Sequence, residues 1–313
     1  MTLHPDLRDS RLVYGGMGLG GGWDQEPWTA RDLDRAEAAV EAALAIGITA
    51  FDFADIYRYG KSEAVFGEVL ARTPGLRERI VLQTKCGIRL PDGDHPGHYD
   101  LRGSSIVRRV EESLARLRTD VLDVLLLHRP DPLADPRDVA QALESLHRQG
   151  LVRQFGVSNM GAAQVEQLRR ETELPLLVNQ LEMSLARRDW VESGVLLNTP
   201  AAGGYEFPVG TLEYCTAHRI QLQAWGALAQ GRFTGSEPSP AGTLTAELAE
   251  RKGTTPETIL LWWLRRHPAG IVPVIGTSRP ERIHACRDAQ LPPDLSHEEW
   301  YALWIAARGK PLP

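Results

Sequence analysis

Val121-Leu122-Asp123-Val124-Leu125-Leu126-Leu127-His128 is a strand-length run, rich in Val and Leu and apolar almost throughout. An alternating run would suit a sheet with one wet face; this one suits a parallel strand covered on both. Seven further apolar runs lie along the chain, at 12–17, 49–53, 80–85, 152–158, 176–181, 220–225 and 271–275. Stretches of helical periodicity separate them. Leu33, Ala36, Val40, Ala43 and Leu44 form one apolar face, and Ile106, Val110, Leu114 and Leu117 another.

The punctuation agrees with crossover helices. Thr255 before Pro256 reads as a helix start, Ser278 with Glu281 as a capping box, and Gly47 and Gly150 as helix ends before the next strand. Eight strand–helix units without a dividing linker predict the α/β class and a closed (β/α)8 TIM barrel, one domain over residues 1–313. The length of 313 residues exceeds the roughly 250 of a minimal barrel by enough for long loops.

Composition narrows the function. A net charge of −6 without a block of one sign gives no footprint for nucleic acid. The start of the chain is polar, and no stretch approaches the ~18 apolar residues of a membrane span, so a cytoplasmic protein is expected. Cys86, Cys215 and Cys286 are odd in number and far apart, which predicts reduced thiols and no metal site. The acids and histidines of 86–103, including Asp92, Asp94, His95 and His98, read as a solvated loop.

In such a barrel the working face lies at the C-terminal ends of the strands. Asp52 and Tyr57 follow the second run, Lys85 ends the third and His128 the fourth. Alone, each has an ordinary structural explanation: a solvated Lys, a packing Tyr, a hydrogen-bonded His. Together they converge on one face. A lysine held charged beside a carboxylate would lower the pKa of a neighbouring phenol from about 10 and prepare it to give up a proton.

These residues stand in an ordered set of motifs: Phe51-Asp52-x-Ala54-x-x-Tyr57-x-x-Gly60-x-Ser62-Glu63, Thr84-Lys85, Leu127-His128, Gly156-Val157-Ser158-Asn159, Asn179-Gln180 and Gly276-Thr277-Ser278-x-Pro280-Glu281-Arg282. The set resembles the aldo-keto reductases from Gly15 to about Ala289, and His128-Arg129-Pro130-Asp131-Pro132 looks like their bacterial members.

The resemblance implies reduction of a small-molecule carbonyl by NADPH. Tyr57 would be the general acid, Lys85 its pKa modifier, Asp52 the partner of Lys85, and His128 the group that orients the carbonyl oxygen. It implies Ser158, Asn159 and Gln180 around the nicotinamide carboxamide, Trp225 stacked on the ring in place of the usual Tyr, and Gly226, Leu228 and Gln230 along the pyrophosphate. Gly276, Thr277, Ser278, Arg279 and Arg282 would hold the adenosine phosphate, where a helix start favours anions. Gly16, Met17 and Asp52 complete the implied cofactor contacts, and Trp23, with Tyr57 and His128, the substrate contacts. Two positions depart from the pattern. Gly276 replaces a frequent phosphate-binding Lys, which leaves NADH as an alternative cofactor, and Phe53 replaces a frequent Thr, a matter of packing. The loops 86–103 and 185–210, with Trp23 and the stretch after Gly231, are expected to set substrate choice.

Competing readings leave residues unused. Gly16-x-Gly18-x-x-Gly21 spells a dinucleotide fingerprint, but Trp23, Pro27 and Trp28 follow where a helix should open. Tyr57-x-x-x-Lys61 spells a short-chain dehydrogenase pair, but sits on a strand-to-helix loop. Lys85 as a Schiff-base lysine of a barrel aldolase gives Tyr57, Gln180 and Arg282 no task. A nucleotide-binding regulatory subunit, like the potassium-channel β subunits of the resembled family, would not need all four strand-end residues.

Overall fold

All eight apolar runs become strands: β1 (Val13–Gly15), β2 (Ala50–Asp52), β3 (Val81–Cys86), β4 (Leu122–Leu127), β5 (Val152–Ser158), β6 (Leu176–Glu182), β7 (Gln221–Trp225) and β8 (Val272–Ile275). They pair in parallel and close into a barrel, β1 meeting both β2 and β8. The computed structural model describes residues 5–200, 204–235 and 239–313.

Helices follow the strands on the outside. Ala30–Ala45 begins at a Thr29/Asp32 capping box and buries Leu33, Ala36, Val40 and Ala43. Pro136–Arg148 and Pro256–Arg265 each start on a capping side chain followed by Pro, Asp135 and Thr255. Gly47 and Gly150 take positive φ after their helices, which a Cβ would strain. The predicted Ser278/Glu281 capping box does not form. Helix Pro280–His284 starts one residue later, with Arg279 at its N-cap and no capping side chain, and Ser278 lines the adjoining cleft.

Period-two alternation sorts the strand residues. Inside the barrel, Leu7 of the short helix Pro5–Asp9 packs with Val13, Ala50, Val81, Val124, Val178 and Val272. Above this hydrocarbon layer Gln83, Gln180 and Gln223 meet across the axis, and Asp52 and Lys85 lie above them. The interior therefore passes from hydrocarbon to amide to charge along the axis.

The long loops carry structure of their own. Within 86–103 the segments Ile88–Arg89 and His98–Tyr99 form a two-stranded antiparallel ribbon. Within 185–210, Asp189–Val195 is helical, and Trp190 is buried edge-on against Trp263 at 5.4 Å. Burying the indole draws that segment onto the tryptophan cluster with the C-terminal helix His297–Arg308. Ala201, Ala202 and Gly203 of this loop lie outside the described residues. Among the described residues, no helix is long and apolar enough to cross a membrane.

Candidate active site

Asp52 ends β2, and the chain then turns through Asp55 and Tyr57 before helix Lys61–Arg72. This turn is pinned from beneath. The Asp55 amide donates to the Lys85 carbonyl, and its carboxylate accepts from Arg109 at 2.6 Å. Burial pushes the Asp55 carboxyl up to about 6, with Arg109 opposing. Glu63 accepts from Thr84 at 2.6 Å and from Arg116 at 2.8 Å, while Ser62 donates to the Gly16 carbonyl at 2.6 Å. The Ser62-Glu63 part of the motif is thus a fastening for the loop that carries Tyr57. Arg58 and Tyr59 have positive φ, the local cost of this tight turn.

Asp52, Tyr57, Lys85 and His128 come together at the strand ends. The Lys85 ammonium donates to Asp52 at 2.6 Å, to the Phe53 carbonyl at 2.8 Å and to the Tyr57 hydroxyl at 3.2 Å. Lys85 and Asp52 are 1% and 2% exposed, so the charges compensate each other inside the barrel. Burial pulls the Lys85 pKa down, but Asp52 and Tyr57 more than offset it, and the net shift is upward.

Burial raises the Tyr57 pKa; Lys85 lowers it, as expected, but burial is the larger effect. The phenol is therefore firmly protonated at neutral pH, with an ammonium waiting to stabilise its anion. His128 stands edge-on to Tyr57 at 5.9 Å. Burial, reinforced by the charges of Lys85 and Arg129, holds its pKa well below the usual value, so the ring is neutral at pH 7. Its buried Nδ1 has no hydrogen-bond partner.

The tetrad opens into a cleft of about 650 Å³. Met17, Trp23, Asp52, Tyr57, His128, Ser158, Asn159, Gln180 and Trp225 line one part of it. Gly226, Leu228 and Gln230 continue the wall to Gly276, Thr277, Ser278, Arg279 and Arg282. Two predicted site residues stay off this surface. Lys85 lies behind Tyr57. Gly16 is packed under Phe53, whose ring a Cβ would meet at 2.1 Å, and Gly15 takes its place in the wall. Phe53 is itself tilted against Phe66 at 4.5 Å, which is why this position needs bulk rather than a hydroxyl.

The loops at 86–103 and 185–210 contribute none of the described lining residues, so their expected part in substrate choice is not supported by the geometry. Residues that the sequence reading missed include Arg129 and Glu257 in the cleft wall and Gln83 and Gln223 below it. No signature marks the two glutamines. Their inward parity with Lys85 and Trp225 was the available signal.

Both decoy motifs resolve. Gly16–Gly18 is a single 3-10 turn. Lys61 is tied to Asp24 at 2.7 Å and to the Glu26 carbonyl, away from Tyr57.

The cleft fits a nicotinamide dinucleotide phosphate. At one end the Trp225 indole donates to Asn159 Oδ1 at 3.1 Å, and Asn159 Nδ2 donates to Ser158 Oγ at 2.9 Å and to the His128 carbonyl at 3.2 Å. Asn159 has φ of 58°, a left-handed value that aims its amide across the strand ends. At the other end the wall carries two guanidinium groups, Arg279 and Arg282, and one carboxylate, Glu257, with Arg279 also 3.9 Å from Glu281. A Cβ on Gly276 would meet nothing within 4 Å, so the missing family lysine leaves open space beside them.

Comparison with known proteins agrees with this arrangement. The model of the "Aldo/keto reductase family" matches residues 11–304. The chain is 37% identical to the 6-dehydroglucose reductase of Agrobacterium fabrum over 99% of this chain and 98% of that protein. It is 38% identical to the 6-dehydroglucose reductase of Novosphingobium aromaticivorans, over 89% of this chain and 88% of that one. An aldo/keto reductase from Klebsiella pneumoniae, solved in complex with NADP and acetate, superposes with a TM-score of 0.72 at 26% identity, covering 97% of this chain and 93% of that one. With the match running over nearly the whole barrel, the chain belongs to the aldo/keto reductase family and is an oxidoreductase.

Proposed function

We propose that this protein uses NADPH to reduce a sugar-derived or similarly oxygenated aldehyde to the alcohol, acting as one domain over residues 1–313 in the cytoplasm. The observation that carries the reading is the hydrogen-bonded chain Asp52–Lys85–Tyr57, which ends at a cleft wall beside neutral His128. The cofactor is supported by the solved relative with NADP and by the basic end of the cleft. The substrate class is supported by the two relatives named 6-dehydroglucose reductase.

Bound NADPH supplies a hydride to the carbonyl carbon. The chain does the rest. His128, neutral, offers a ring N–H to the carbonyl oxygen and fixes which face is presented. Tyr57 gives its hydroxyl proton to that oxygen as negative charge develops there. The phenolate left behind sits 3.2 Å from the Lys85 ammonium, whose charge is maintained by Asp52. Ser158, Asn159 and Gln180 would hold the carboxamide, Trp225 would stack on the ring, and Arg282 and Arg279 would hold the adenosine phosphate.

Lys85 as a Schiff-base nucleophile is the weaker reading. Its ammonium has three acceptors and a raised pKa, whereas imine formation needs a free amine. NADPH oxidation measured against a panel of aldehydes, ketones and quinones tests the proposal, together with Tyr57→Phe. The variant should lose about 10²–10⁴ in kcat, the usual worth of a positioned acid, while still quenching with NADPH in a fluorescence titration. Wild-type-like turnover by Tyr57→Phe would remove the phenol from the mechanism.

A further inference from the structure

In the run His128-Arg129-Pro130-Asp131-Pro132, the mechanism leaves the charged side chain of Arg129 without a task. Arg129 follows the end of β4 directly, is half-buried, and lines the cleft beside His128, Tyr57 and Trp23. Pro130 restricts the Arg129 backbone to extended conformations, so the guanidinium is carried on a stiffened support.

The other cations near this mouth are engaged elsewhere. Arg58 donates to the Met17 carbonyl at 3.1 Å and lies 5.3 Å over the Trp23 ring. Lys85 is held by Asp52, and Arg279 and Arg282 belong to the far end of the cleft. Arg129 has neither an ion pair nor a hydrogen bond from its side chain among the described residues. The neighbouring carboxylate that could have served it, Asp131, accepts instead from the Leu101 and Leu133 amides at 2.9 Å each.

A guanidinium has five N–H donors and no acceptor. Half-burial removes part of its water, and a buried donor left unmatched is costly. The protein leaves this group unmatched beside the point where a carbonyl would react. Its charge also reaches the His128 ring and helps keep it neutral, which places the two groups within electrostatic range.

We propose that Arg129 is a specificity-determining residue that donates to oxygen atoms on the substrate carbons flanking the reacting carbonyl. This rests on the reductase reading above and assigns the substrate class within it. Two sources share that chemistry, the hydroxyls of a polyhydroxy aldehyde and the carboxylate of an oxo acid.

The experiment compares glyceraldehyde, glyoxylate and propanal as substrates with NADPH for the wild type, Arg129→Met and Arg129→Lys. Arg129→Met should lower the kcat/KM ratio of an oxygenated aldehyde to propanal at least tenfold, through KM, and Arg129→Lys should recover part of the loss. A larger effect on glyceraldehyde assigns hydroxyls, and a larger effect on glyoxylate assigns a carboxylate. The same fractional loss on all three substrates, or a loss in NADPH affinity that accounts for the change, would overturn the assignment and leave carbonyl reduction standing. Absence of wild-type turnover on every one of the three would overturn both.

Discussion

Asp52→Asn isolates the charge that holds Lys85. The amide keeps the shape of the side chain and an oxygen for Gln83, which donates to Asp52 Oδ1 at 2.7 Å, but removes the negative partner 2.6 Å from the ammonium. Removing one member of a buried pair costs about 3–5 kcal/mol, because the remaining charge is uncompensated. An unfolding entropy of about 2.1 cal/mol/K per residue over a chain of this length gives roughly 0.7 kcal/mol/K, so Tm should fall by about 4–7 °C at neutral pH. The pH dependence identifies the cause. In the wild type the folded Lys85 pKa is raised, so its contribution is fully present below the unfolded value of about 10.5 and is lost as pH rises through the folded one. In the variant, burial without Asp52 depresses the folded pKa. The unfolded chain then binds more protons between the two values, and stability rises with pH there. The Tm deficit should therefore narrow between about pH 7 and pH 10. Scanning fluorimetry at one heating rate across that range measures it. A deficit that stays constant with pH, or is absent, would refute the view that Asp52 compensates a buried ammonium.

Two further outcomes follow from the site. Because His128 titrates well below its usual range and Tyr57 above its own, kcat for reduction should be flat from about pH 6 to pH 9 and fall only as Tyr57 loses its proton above about pH 10. An ionisation near pH 6.5 that vanishes in His128→Gln would contradict a neutral imidazole. Arg282→Ala should raise KM for NADPH at least tenfold more than KM for NADH, since only the former carries the 2′-phosphate; steady-state kinetics with both cofactors would expose equal effects and so exclude Arg282 from phosphate recognition.

Much of the working face was legible because strand ends in a parallel barrel share one rim. The apolar runs located the strands, and Asp52, Tyr57, Lys85 and His128 had only to follow them. Motif order pointed to Ser158, Asn159, Gln180 and Trp225, and these four do line one wall of the cleft. What local sequence did not contain depended on neighbours distant along the chain. Trp190 gave no local sign that it would be buried against Trp263. Ser278 and Glu281 had the spacing of a cap, but the helix began at Pro280. The sign of the Tyr57 shift depended on how deeply the barrel buries the phenol, a quantity that spacing does not contain.

By itself, then, the order of residues determined the barrel, the strand-end placement of Asp52, Tyr57, Lys85 and His128, and the family, because periodicity and strand-end position are properties of local sequence. Only the tertiary structure decided which groups are satisfied. It engages Lys61 with Asp24, locks Asp55 to Arg109, joins Asp52 through Gln83 to Gln223, and leaves Arg129 unmatched in the cleft. Burial and hydrogen-bond partnership arise between residues tens or hundreds of positions apart, so the desolvation that sets their charge and reactivity exists only once the barrel has closed.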